Sequence, residues 1–194
     1  MEQAIVVAVQ ERRPDLLFLH AAALERDGGV ILLVGESGHG KSTTAWGLLH
    51  HGFGYLSDEL APVDPKSLEV MPYPHALCLK RRPPPAYPLP AAAFDLGATM
   101  HVPVRAMPGR APASPCALKA VVFVRHEPGA RDPVLRPIGS ADAAARLYVS
   151  TLNALAHPAR GLDAVLRVAT RSSCFSLQAA ELARTCELVA GIDA

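Results

Sequence analysis

The chain has 194 residues, half of them hydrophobic and 19% charged, enough to bury one core and too few for a second of similar size. Nineteen Lys and Arg against eighteen Asp and Glu leave a formal charge of +1, so no bulk field draws the chain to nucleic acid or to anionic lipid. The most apolar short run, residues 28–35, falls well below the roughly 20 residues that span a bilayer, and no basic segment precedes residues 4–9 as in a secretory signal; the expectation is a cytoplasmic protein with no membrane partner.

Residues 4–9 and 16–24 have the length and aliphatic content of strands, and Asp27-Gly28-Gly29 is a turn joining the second to residues 30–34. That last run is apolar on both faces, which predicts a strand in the middle of a covered sheet. After glycines 35, 38 and 40, residues 41–51 read as a helix with Ala45, Leu48 and Leu49 on one side and Gly52 as its stop. Residues 55–56, 60–63 and 68–71 read as short strands. Residues 72–115 are dense in proline and include Pro83-Pro84-Pro85, which excludes long helices and central strands; an irregular lobe or lid that recognises substrate is expected there. Residues 117–124 form a strand with 134–138 as its neighbour. Helices are expected from Ser140 to about Leu155, over 160–170 and over 179–189, with a short strand at 173–177. The chain thus reads as one domain, residues 1–194, whose part from 139 to 194 is mainly helical. Cys78, Cys116, Cys174 and Cys186 lack the spacing of a zinc site or a disulfide framework and read as buried or half-buried thiols.

Gly35-Glu36-Ser37-Gly38-His39-Gly40-Lys41-Ser42 satisfies G-x-x-x-x-G-K-[ST] at every defined position, between a strand-like run and a helix. Successive backbone N–H groups of a glycine-rich turn, with the positive end of the following helix, form an anion cradle that bulky residues would obstruct. Lys41 is placed to reach the β and γ phosphates of a nucleoside triphosphate, and Ser42 to set its hydroxyl on a bridging Mg²⁺. The expected nucleotide site comprises Gly35, Glu36, Ser37, Gly38, His39, Gly40, Lys41, Ser42 and Thr43. Asp58 and Glu59 follow Ser42 by sixteen and seventeen residues, where the chain is expected to return beside the strand that feeds the glycine loop. One carboxylate there can bind metal while the other orients an attacking hydroxyl; the bland alternative is an acidic turn facing water.

From Leu19-His20 through the glycine loop to Gly52-Phe53-Gly54-Tyr55-Leu56-Ser57-Asp58-Glu59, the sequence resembles the catalytic domain of HPr kinase/phosphorylase and its smaller HPr-kinase-like relatives. In that family a histidine precedes the P-loop strand, the loop reads G-x-S-G-x-G-K-S, and a helix and strand lead to an Asp-Asp pair; here Asp58 keeps the first place and Glu59 stands at the second. The resemblance implies an α/β fold with a P-loop nucleotide-binding core shared with phosphoenolpyruvate carboxykinases, a mixed sheet with helices and the proline-rich lobe beside it. It also implies that Asp58 is the base receiving a serine proton, that Asp58 or Glu59 assists Mg²⁺ alongside Ser42, and that His20 lines the phosphate site. Pro103-Val104-Arg105 and Pro108-Gly109-Arg110 are similar to a Pro-Val-Arg-Pro-Gly-Arg-Asn stretch of HPr kinases, with Ala106-Met107 inserted and Ala111 replacing Asn. Arg105 and Arg110 thereby become candidates for neutralising the transferred phosphoryl. Pro72-Tyr73-Pro74 followed by Leu79-Lys80 is similar to a stretch common in the relatives. The amino-terminal domain of full HPr kinases and the signature segment of their phosphorylase activity have no counterpart, and short relatives also act as tailoring enzymes for ribosomally made peptides, including lasso peptides.

Taken by itself, His20 also reads as a core histidine satisfied by backbone. His50 and His51 lack the spacing of a helical metal pair and read as capping or surface residues. Lys80-Arg81-Arg82, the one dense basic run, reads as a solvated face, or else as a contact for an acidic peptide or for nucleotide phosphates. Without interleaved aromatics it does not suit nucleic acid. Trp46 reads as a packing residue. The combined expectation is a kinase moving the γ-phosphoryl of ATP, with GTP as the alternative donor and Mg²⁺ as cofactor, to a serine of a protein or ribosomally made peptide. Its catalytic residues would be Asp58, Lys41, His20, Arg110 and Arg105, and the resemblance allows a homo-oligomer. A small-molecule hydroxyl kinase and a nucleotide-gated switch remain open as alternatives.

Overall fold

The computed structural model describes residues 2–192, the side chains of 2–4 excepted. Helix α1 (Glu2–Arg12) occupies the segment whose residues 4–9 are predicted as a strand. Its Val6 and Val9 share one helical face and pack on Leu16, Phe18 and Leu60, while Ile5 and Val7 stay exposed. Branched side chains favour a strand locally, but a surface that takes only one side of the segment selects the helix.

Strands β1 (Leu17–Leu19), β2 (Ala21–Arg26) and β3 (Gly29–Val34) follow. β2 and β3 form a hairpin paired from Ala21 with Val34 to Arg26 with Gly29. Asp27 and Gly28 close it with φ of 52° and 81°, the left-handed pair that matches strand twist in a two-residue turn. Helix α2 (Lys41–His50) then leads to β4 (Gly54–Ser57), β5 (Ala61–Val63) and β6 (Glu69–Val70). β4 pairs antiparallel with β2, so β2 stands between β4 and β3. The chain therefore returns one strand further out than predicted. Since β3 and β4 run the same way, the glycine loop and the Asp58-Glu59 turn still emerge at one edge of the sheet.

Residues 72–115 are not wholly irregular: β7 (Leu77–Leu79), β8 (Phe94–Asp95) and β9 (Met100–Val102) form a separate sheet in the order β7-β9-β8. It packs on α2 through Leu77, Leu79 and Val102. β10 (Cys116–His126) runs parallel to β3 on one side and to β12 (Ser173–Ala179) on the other. β11 (Val134–Pro137) pairs with β12, not with β10 as predicted. Helices α3 (Ser140–Val149), α4 (Leu162–Arg171) and α5 (Leu182–Ala190) complete the chain.

The helix predicted to reach residue 155 ends at Val149 because the chain turns to run along β1. Leu152 N–H donates to the Phe18 carbonyl, and the Asn153 amide accepts from Phe18 N–H (2.9 Å) and donates to the Leu16 carbonyl (2.8 Å), satisfying a strand edge. The next helix starts at Leu162 because Ala159 and Arg160 hold φ of 50° and 53°. Both faces of β3 are covered: Ile31 and Leu33 meet α2, α5 and the small sheet, while Val30, Leu32 and Val34 meet α3 and α4. Its central place in a mixed sheet agrees with the sequence expectation.

Candidate functional site

The glycine loop leaves β3 at Val34 and enters α2 at Lys41. Gly38 and Gly40 take φ of 89° and 94°, and a Cβ at Gly35 would stand 2.6 Å from the Val124 carbonyl oxygen of β10. Backbone geometry thus demands each of these glycines. The His126 N–H donates to the His39 carbonyl (3.1 Å) and ties the loop to the end of β10.

Lys41 is 4% exposed. Its ammonium donates to the carbonyls of Gly35 (2.7 Å) and Glu36 (3.2 Å) and to His20 Nε2 (3.1 Å), so its three donors are all engaged. An ammonium cannot accept, so Nε2 carries the lone pair and Nδ1–H donates to the Glu59 carbonyl (3.2 Å). The Glu59 carboxylate stands 3.6 Å from the same Nδ1. His20 therefore couples Lys41 to the acidic turn and is not a passive core residue. Burial lowers the Lys41 pKa most; Glu59 and Asp58 act to raise it, and Lys80 lowers it further.

Asp58 is wholly buried, and neither of its carboxylate oxygens accepts a hydrogen bond; the neighbouring Ser57 hydroxyl is likewise without a partner. Burial, then the charge of Glu59, raises the Asp58 pKa, against smaller opposing effects of the Ser42 hydroxyl, His75 and the Glu59 backbone N–H. The Ser42 hydroxyl is thus near enough to ease the charge without a hydrogen bond of ordinary geometry. Glu59 adopts φ 65°, and Leu60 N–H closes a three-residue turn on the Asp58 carbonyl (2.8 Å). His75 Nε2 bonds the same carbonyl, and the Tyr55 hydroxyl holds the His75 carbonyl (2.9 Å). Sequence reasoning missed His75; its one signal was its place beside Pro72-Tyr73-Pro74.

A cavity of about 560 Å³ opens above these groups. One wall is the loop and first turn of α2, with Ser37, Lys41, Ser42 and Thr43; Gly35, Glu36 and His39 do not line it. Glu59 forms part of a second wall, whereas Asp58 lies beneath, sealed from the cavity. A third wall is Lys80, Arg81 and Arg82, and Lys80 Nζ donates to the Ser37 hydroxyl (2.5 Å). The end of β12 and the start of α5 supply the far side.

Arg110 is not brought to this cavity. Its guanidinium stands 2.6 Å from Glu25 Oε2, at the end of β2 remote from the glycine loop. Glu25 is 1% exposed, and a carboxylate so buried requires a cation. Arg105 is exposed in a single 3-10 turn (Val104–Ala106) outside the cavity wall. His50 is exposed in the last turn of α2 and His51 is its C-cap, with its N–H on the Leu48 carbonyl (2.9 Å), as expected; in addition His51 Nε2 meets the Tyr87 hydroxyl (3.0 Å), and His50 packs edge-on against Trp46 and Tyr87. Trp46 is a packing residue, as expected, and its indole N–H donates to the Tyr87 carbonyl (3.0 Å). Cys78 and Cys116 are half-buried; Cys174 and Cys186 are buried.

No protein-family model and no curated protein matches the chain. Among solved structures it is similar to the HPr(Ser) kinase/phosphatase from Coxiella burnetii, at 15% identity and a TM-score of 0.39, over 62% of this chain and 76% of that one. No helix among the described residues is long and apolar enough to cross a membrane.

Proposed function

We propose that the chain binds a nucleoside triphosphate with Mg²⁺ in this cavity and transfers the γ-phosphoryl group to a serine of a protein or ribosomally made peptide. ATP is the donor in this reading and GTP the alternative. The observation that carries it is a buried carboxylate without a hydrogen-bond partner, Asp58, beside Ser42 at the start of the helix that follows the glycine loop. Such a carboxylate is costly unless a cation completes it, and a set of carboxylate and hydroxyl oxygens suits Mg²⁺. Asp58 and Ser42 are the residues that would hold the ion, with Glu59 adjoining; it would supply positive charge to offset the negative charge of the triphosphate.

The glycine loop offers backbone N–H groups to the phosphates, and Lys41 at its base exchanges a carbonyl partner for a phosphate oxygen. Of the two carboxylates on the cavity wall, Glu181 is engaged in capping α5, while Glu59 stands on the turn that His20 couples to Lys41, so Glu59 is the one an acceptor hydroxyl meets in this reading. The hydroxyl oxygen bonds to the γ-phosphorus while the bond to the β–γ bridging oxygen breaks and its electron pair leaves on the diphosphate; the hydroxyl proton passes to Glu59. Asp58, the base implied by the family resemblance, is sealed beneath and serves the metal instead. Serine as acceptor, and a peptide as its carrier, rest on the resemblance of the loop and the Asp58-Glu59 pair.

The test is incubation of the purified protein with Mg·ATP and dephosphorylated proteins of its source, supplemented with peptides encoded beside its gene, followed by phosphosite mapping. A dominant serine site that disappears with Asp58→Asn and with Glu59→Gln, the latter still binding ATP, is the expected result. Bound ATP with no new phosphosite would overturn the kinase reading.

A further inference from the structure

Two lysines reach the glycine loop from opposite sides and in different states. Lys41 has its three donors committed to protein acceptors. Lys80 is exposed just beyond β7, and its one hydrogen bond among the described residues goes to the neutral hydroxyl of Ser37, at the tip of the loop. An ammonium has three donors, so Lys80 keeps two for the cavity that it lines with Arg81 and Arg82. A hydrogen bond from a cation to an anionic oxygen is roughly twice as strong as one between neutral groups, so a phosphate outcompetes the Ser37 hydroxyl for this ammonium.

Placement and charge agree. Leu77 and Leu79 of β7 are fully buried against α2, so the backbone that delivers Lys80 is set relative to the helix that carries Lys41. The cavity is lined by the cations Lys41, Lys80, Arg81 and Arg82 and by the carboxylates Glu59 and Glu181, a positive excess suited to a polyanion. Arg110 is engaged at Glu25 and cannot share that task. We infer that Lys80 is a second phosphate-binding lysine, delivered by the small sheet, that leaves Ser37 for a phosphate oxygen of the bound nucleotide. The assignment rests on the nucleotide-binding reading above.

Calorimetric titration of Mg·ATP into the wild-type protein, Lys80→Ala, Lys80→Arg and Lys41→Ala tests it, with thermal unfolding of each variant as the check on folding. Lys80→Ala is expected to weaken binding about 10- to 100-fold without shifting the thermal transition, and Lys80→Arg to recover most of that loss. Wild-type binding that Lys41→Ala abolishes and Lys80→Ala leaves within about twofold overturns the Lys80 assignment alone. A wild-type protein that binds no triphosphate overturns the nucleotide reading and this assignment with it.

Discussion

Replacing Asp58 by asparagine is expected to stabilise the metal-free protein. The carboxylate is wholly buried, lacks a hydrogen-bond partner, and has its pKa raised first by burial and then by Glu59. In the unfolded chain it ionises near the ordinary value of 3.8; in the folded chain it keeps its proton to higher pH. Between those two values the folded state binds more protons, so stability falls as pH rises, by at most about 1.4 kcal/mol per pH unit. Below the unfolded value both states are protonated and the group contributes nothing; above the folded value the loss is complete and constant. Asparagine has no charge to desolvate and escapes it. An unpaired buried charge costs about 3 kcal/mol or more, of which an unpaired amide retains about 1–2, leaving a gain of about 1–2 kcal/mol. For a domain of this size each kcal/mol moves the Tm by about 2–4 °C, so the variant should melt about 2–8 °C above wild type near neutral pH in EDTA. Thermal unfolding followed by circular dichroism across the pH range should show the gap closing as pH falls toward 4. Mg²⁺ should raise the wild-type Tm and leave the variant's unchanged. A variant less stable than wild type at neutral pH, or a gap indifferent to pH, would mean that Asp58 is satisfied in the fold and refute the reasoning.

Arg110→Ala leaves Glu25 buried with only the Gly28 N–H (2.7 Å) to offset its charge. The expected cost is about 2–3 kcal/mol in urea unfolding, below that of a fully buried pair because the Arg110 side chain is 71% exposed, with ATP affinity unaltered. Loss of phosphoryl transfer at unchanged stability would return Arg110 to the site. Gly35→Ala forces a Cβ to 2.6 Å from the Val124 carbonyl, backbone against backbone, so β3 and β10 must part. A loss of about 1–3 kcal/mol together with weaker ATP binding is expected, and an unchanged Tm would show that the loop tolerates the methyl.

Where the sequence was legible, local pattern and tertiary environment agreed. Residues 30–34 are apolar at every position, and β3 is covered on both faces; Asp27-Gly28 needs two left-handed residues and has them. Lys41, Ser42, His20 and the Asp58-Glu59 turn converge because β3 and β4 end at the same edge, an arrangement that motif spacing anticipated although β2 intervenes. The small sheet was hidden because its strands of two or three residues are too short for alternation to show. Arg110 was misplaced because its partner lies 85 residues away and has no local signature: Glu25 reads as an ordinary polar residue near a turn until its burial is seen. His75 was missed for the same reason, since its target is the carbonyl of Asp58, seventeen residues back.

The conflicts that remain in the fold are concentrated where the proposed chemistry needs them. Of the four buried side-chain atoms without a hydrogen-bond partner among the described residues, three belong to Ser57 and Asp58. The next residue, Glu59, is held at φ 65°, a conformation that costs about 1 kcal/mol or more in an L-residue with a bulky side chain. Leu60 N–H and His75 both bind the Asp58 carbonyl and so hold the turn in that conformation. Glycine at 59 would relieve the backbone and asparagine at 58 the charge, with the turn's hydrogen bonds untouched. What neither replacement could keep is a pair of carboxylates, one sealed beside Ser42 and one exposed to the cavity, and that pair is what the proposed phosphoryl transfer would use at this edge of the sheet.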